Sequence, residues 1–245
     1  MTAKRLALVT GGSSGLGMAL CTAFIARGFR VIEFSRSTPH PFSVHADMAS
    51  PGSYKYFARA LAALTNEGPW DEIVAVSNAG TLHPMGPASR QTPADTVSGL
   101  NTNLTSAVLF IAQVVESFQA APCRKVVANI SSGAAVNARA GWSLYGAAKA
   151  GMEHFIRSLA VEQSMQAHPL LAVNIDPGVM DTAMQAAIRA SSPADFPEVD
   201  RFIRRRDDGE LRAPSAVAEA VLRIVALPSL TPGGRYLAAE HLASG

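Results

Sequence analysis

The chain has 245 residues, 48% of them hydrophobic and 16% charged, with a formal net charge of +2. That balance excludes a disordered chain and leaves room for a substantial buried core. The small net charge, with arginines scattered except between Arg201 and Arg212, gives no broad basic face, so nucleic acid is not an expected partner. No apolar run approaches the roughly 18 residues of a membrane span, and no membrane partner is expected. Lys4 and Arg5 precede a short apolar run that reads as a first strand rather than a signal peptide, which makes a cytoplasmic protein the expectation. Cys21 and Cys123 lie in apolar surroundings without metal-ligand spacing, so neither a metal site nor a disulfide is expected.

Residues 5–9, RLALV, suit a strand buried on both faces of a parallel sheet. The loop TGGSSGLG (Thr10–Gly17) follows, then a helical pattern that stops at Gly28. Strand, glycine loop and helix together suggest a phosphate-binding turn. Gly11, Gly15 and Gly17 let the backbone approach a pyrophosphate, Ser13, Ser14 and Leu16 complete the loop, and the helix N-terminus presents free N–H groups. The alternative is an ordinary glycine-rich turn. The second strand, FRVIEF, runs into Ser35 and Arg36, where a dinucleotide fold faces the adenosine ribose. An arginine there suits the 2′-phosphate of NADP, unless it is simply a solvated loop residue; Glu33 comes too early to take the ribose.

VHAD ends at Asp47, whose carboxylate can accept from an adenine amino group. Residues 51–66 read as a helix, and 71–80 as a strand leading into a turn that carries Asn78, Ala79 and Gly80. Helical patterning covers 91–119 and includes Asn103, a poor helix former that either faces solvent or has a task within the fold. Strands follow at 124–131 and 170–178, the latter closed by Pro177 and Gly178. Residues 179–213 shift to Pro, Asp and Arg and read as a flap over a site. A helix after Pro214 and a last strand in GGRYLAA end the chain. This alternation predicts an α/β protein, one Rossmann-like, doubly wound parallel sheet in a single domain, with ligands at the carboxyl ends of the strands.

Between the strands at 124–131 and 170–178, Tyr145 and Lys149 stand four apart in a helical run, side by side on one face. A neighbouring cation favours phenolate, which makes Tyr145 a candidate proton donor and acceptor near neutral pH. Ser132 ends the preceding strand and points its hydroxyl to the same place.

TGGSSGLG, SNAG (77–80), NTNLTSA, ISSGAA, YGAAK and DPGVMDT, in this order, resemble the motifs of the short-chain dehydrogenase/reductase family along nearly the whole chain. The resemblance implies catalytic roles for Asn103, Ser132, Tyr145 and Lys149. Lys149 would also hold the nicotinamide ribose and lower the Tyr145 pKa, and Asn103 would hold a water on a proton relay. Val179 and Thr182, beside Pro177 and Gly178, would lie near the nicotinamide. It implies an NADPH-dependent reduction of a small-molecule carbonyl and a homodimer or homotetramer built on the helices at 91–119 and 142–167. Oxidation of a secondary alcohol is the alternative, and a catalytically silent cofactor sensor a more distant one. Within the family, GWSLYGAAKAG and DPGVMDTAMQ are similar to the sepiapterin and benzil reductase subgroup, which implies Trp142, Met180 and Met184 as apolar substrate walls beside Ser132 and Tyr145. Leu237 stands where the pterin-anchoring Asp of sepiapterin reductases would be, so a less polar diketone or aldehyde is expected.

Overall fold

The computed structural model describes residues 3–243. Among them, β1 (Arg5–Thr10), β2 (Phe29–Ser35), β3 (Ser43–His45), β4 (Glu72–Ser77), β5 (Arg124–Ile130), β6 (Leu171–Asp176) and β7 (Arg235–Leu237) form one parallel sheet. Their order is β3-β2-β1-β4-β5-β6-β7. The chain starts in the middle, winds outward to β3, then returns past β1 to build the other half. The crevice between β1 and β4, where the winding reverses, is where ligands bind in such sheets.

Alternation along the strands divides the core. Ala7 and Val9 of β1 face a layer containing Leu20 and Phe24 of α1 (Gly15–Ala26) and Val217 and Val221 of α8 (Pro214–Val225). Leu6 and Leu8 face the opposite layer, with Phe57 and Leu61 of α2 (Tyr54–Thr65), Phe110 and Val114 of α4 (Ser106–Phe118), and Met152 and Ile156 of α5 (Ser143–Gln163). The sheet is covered on both sides, so its central strands β1, β4, β5 and β6 are mainly apolar runs rather than alternating ones.

The helical stretch at 91–119 is not one helix. It divides into α3 (Pro93–Leu100), a π-type turn at Asn101–Thr105, and α4. The 179–213 segment is not an open loop either, but carries α6 (Ala183–Arg189) and α7 (Val199–Asp207). Phe196 and Phe202 of this segment are buried against Trp142, giving it a small core of its own next to Tyr145.

Candidate active site

The segments after β1 to β6, that after β3 carrying Asp47, reach the carboxyl edge and surround a cleft of about 1130 Å³. At its floor the glycine loop is latched from below. The Thr10 hydroxyl accepts the Asn78 and Ala79 N–H groups at 3.0 and 3.1 Å, and Asn78 Nδ2 donates to the Thr10 and Gly11 carbonyls at 3.0 and 3.3 Å. A Cβ on Gly17 would overlap the Gly11 carbonyl oxygen, and Gly11 and Gly15 adopt φ of +70° and +52°. The loop therefore needs glycine at these three positions. It feeds α1, whose N-cap Ser14 makes no side-chain capping bond and whose first turn has no acid, so its free N–H groups and positive dipole end face the cleft.

Two cations complete a site fitted to a polyanion. Arg36 lies exposed at the end of β2, lines the cleft, and makes no ion pair among the described residues. Lys149 is 5% exposed, donates to the Ile130 carbonyl at 2.8 Å, and has two further N–H donors to offer. A Cβ on Gly80 would fill the gap between Lys149 Nζ at 3.7 Å and Asn103 Oδ1 at 3.1 Å. Free backbone donors at one end, an unpaired guanidinium at another and a buried ammonium deep inside fit a nicotinamide dinucleotide. Glu33 is turned away beneath the loop, where Ser35 and Ser43 donate to its Oε1.

The structure also places the residues singled out for chemistry. The Ser132 hydroxyl is close enough to the Tyr145 phenol to favour its ionised form, and its Oγ accepts the Ala134 N–H at 3.2 Å. The neighbouring Ser131 instead gives its proton to Glu153 at 2.5 Å. Asn103 is buried in the π-type turn. Its Oδ1 accepts the Thr81 N–H at 2.9 Å, and its Nδ2 donates to the Thr81 and Gly99 carbonyls at 2.8 and 3.0 Å. It ties that turn to the chain after β4 and does not line the cleft.

Asp47, Ala79, Gly80, Pro177, Thr182, Met180 and Met184 line the cleft, together with Ser13, Ser14, Leu16 and Ser35; Gly178, Val179, Ser132 and Trp142 do not. Trp142 is stacked on Phe196 at 4.7 Å and meets Tyr145 edge-on at 5.8 Å, so it backs the tyrosine rather than walling the cleft. Leu82, Met85, Met180 and Met184 also line the cleft, with His83 and Asp181. Leu82, His83 and Met85 escaped the sequence reading because they follow the SNAG turn without a periodic pattern.

Electrostatics correct one expectation. The cation beside Tyr145 was expected to lower its pKa, but burial is the larger effect and pushes the phenol up to about 12. The Ser132 hydroxyl opposes that rise and the Asp176 charge adds to it. Burial also pushes Lys149 down to about 8, with Asp176 pulling it back up.

A crevice fitted to a dinucleotide, with Tyr145 and Lys149 in its wall, is that of a nicotinamide-dependent oxidoreductase of the CH–OH/C=O type. Residues 5–193 match the short chain dehydrogenase family model, and the chain belongs to that family. It is 31% identical to a benzil reductase ((S)-benzoin forming) of Bacillus subtilis, over 90% of this chain and 93% of that protein. A sepiapterin reductase of Meriones unguiculatus is 28% identical over 74% of this chain and 68% of its own. The crystal structure of a short chain dehydrogenase/reductase from Saccharomyces cerevisiae has the same fold, with a TM-score of 0.82 at 22% identity over 98% of this chain and all of that one.

Proposed function

We propose that the protein is an NADPH-dependent carbonyl reductase whose substrates are uncharged, apolar ketones, with vicinal diketones of the benzil type as the leading class. The observation that carries this reading is a buried Tyr145 phenol in the wall of a cleft that Leu82, Met85, Met180 and Met184 also line. Methionine walls adapt to irregular apolar shapes, and His83 and Asp181 line the same cleft beside them. The names of the Bacillus relatives point the same way.

The bound nicotinamide dinucleotide supplies hydride. The chain supplies everything that holds it and manages the proton. The glycine loop and the start of α1 would hold the pyrophosphate, Arg36 the 2′-phosphate, Asp47 the adenine amino group, and Lys149 the nicotinamide ribose, with Pro177 and Thr182 beside the nicotinamide. Ser132 donates a hydrogen bond to the carbonyl oxygen as negative charge develops there, and Tyr145 transfers its proton to that oxygen. A phenol that burial keeps protonated at neutral pH suits this direction, whereas alcohol oxidation needs a phenolate. We read residues 179–213 as the segment that closes over the substrate and excludes water. The test is NADPH oxidation followed at 340 nm with benzil, 1-phenyl-1,2-propanedione, sepiapterin and a simple aldehyde. Diketone turnover with NADPH and not NADH is expected, and a preference for sepiapterin or for NADH contradicts the reading.

A further inference from the structure

Beneath the Ser–Tyr–Lys constellation lies an ionic cluster that the reaction does not use. Arg235, on the short edge strand β7, donates from Nε to Glu153 Oε1 at 2.9 Å and from Nη2 to Asp176 Oδ2 at 2.7 Å. The same Nη2 reaches the Ser132 carbonyl at 3.4 Å. Glu153 stands one helical turn beyond Lys149, is 4% exposed, and accepts the Ser131 hydroxyl. Asp176 ends β6 and its Oδ1 accepts the Gly178 N–H at 2.9 Å. One guanidinium thus bridges two carboxylates from α5 and β6 and grips the strand end that carries Ser132.

We propose that Arg235 is a positioning residue for the catalytic centre. By clamping Glu153, Asp176 and the Ser132 carbonyl, it holds Ser132 in register with Tyr145 and balances the carboxylate charge felt by Lys149. The last strand thereby sets the field in which the Tyr145–Lys149 pair works. Around Lys149 stand Tyr145 on α5, the Ile130 carbonyl at the end of β5, the Asp176 charge on β6 and Asn103 across Gly80, while Glu153 on α5, Ser131 after β5 and Arg235 on β7 are joined to Asp176 through the cluster. Arg157, at 3.7 Å from Glu153, lies at the exposed outer side of the cluster. Of the carboxylates, Asp176 acts on both Tyr145 and Lys149. The inference rests on the proposed reaction for what Tyr145 does with its proton; the charge balance around Lys149 does not.

The test titrates Lys149 directly in the full chain, with lysine labelled by 13C at Cε and the Lys149 resonance assigned by its loss in Lys149→Met. In the wild type it should titrate at about 8. Asp176→Asn should lower that midpoint by about one pH unit and Arg235→Met should raise it by about as much, the size of one charge acting through partly hydrated protein. Arg235→Lys, which keeps the cation, should stay near the wild type. If Arg235→Met does not fold, Arg235→Gln, which keeps hydrogen-bond donors without the charge, takes its place with the same expected rise. Folded Asp176→Asn and charge-removing Arg235 variants whose Lys149 midpoints do not move, or move in the same direction, overturn the proposal and leave Arg235 a structural bridge. In an active enzyme the kcat–pH profile should move with these midpoints. A wild type silent on every carbonyl, with opposite Lys149 movements intact, counts against the proposed reaction and not against this role of Arg235.

Discussion

Lys149 carries its charge into the interior with a single protein hydrogen bond and no carboxylate within ion-pair distance among the described residues. Burial takes its pKa from 10.5 to about 8. At pH 7 the protonated lysine therefore destabilises the folded chain by about 3 kcal/mol relative to an exposed one. The penalty is fully present below the folded value. It fades as pH rises toward the unfolded value, because the folded chain has then already released the proton that the unfolded chain still holds; at pH 10 about 1 kcal/mol remains. Lys149→Met removes the charge with a side chain of similar length and gives up one hydrogen bond, worth about 1 kcal/mol. The variant should thus be more stable than the wild type by about 2 kcal/mol at pH 7 and about equal to it at pH 10, while losing dinucleotide-dependent turnover. Urea unfolding at both pH values, with unchanged m-values, measures this. A variant less stable at pH 7, or a difference that does not vary with pH, refutes the reasoning.

Two further outcomes follow from the cleft walls. Arg36→Ala should raise the KM for NADPH roughly 10- to 100-fold, the value of charge-assisted hydrogen bonds to a phosphate, and leave NADH nearly unaffected. Steady-state kinetics with both cofactors measures it, and equal weakening would mean that Arg36 does not read the 2′-phosphate. Trp142→Ala opens a cavity between Phe196, Phe202 and Tyr145 and should destabilise by about 3–5 kcal/mol, with kcat falling more than NADPH affinity. A loss below about 1 kcal/mol in denaturant unfolding would contradict the packing described.

What was legible in the sequence was local. Apolar runs such as RLALV and RKVVANI announced their strands because both faces of this sheet are covered, and the glycine loop announced itself by its place between strand and helix. The break at Asn101–Thr105 was hidden because apolar periodicity continues through it, while Asn103 spends its hydrogen bonds on Thr81, 22 residues away. The 179–213 segment looked loose because Pro and Arg dominate it. Phe196, Val199 and Phe202, spaced by three, were the signal of a buried face. The rise in the Tyr145 pKa was out of reach because spacing brings two side chains together without reporting how far both are removed from water. Arg235 meets Glu153 and Asp176 across 82 and 59 residues, and only Glu153, a turn beyond Lys149, carried a local hint.

Tyr145→Phe tests the central claim most directly, because it removes one oxygen from a buried ring and leaves the Trp142 packing in place. NADPH binding, followed by fluorescence titration, should stay within about twofold of the wild type, while diketone turnover should fall by about a thousandfold or more, the upper range for a positioned proton donor. Retained turnover in a folded, NADPH-binding variant would show that the proton comes from another group and that the site is not built around Tyr145.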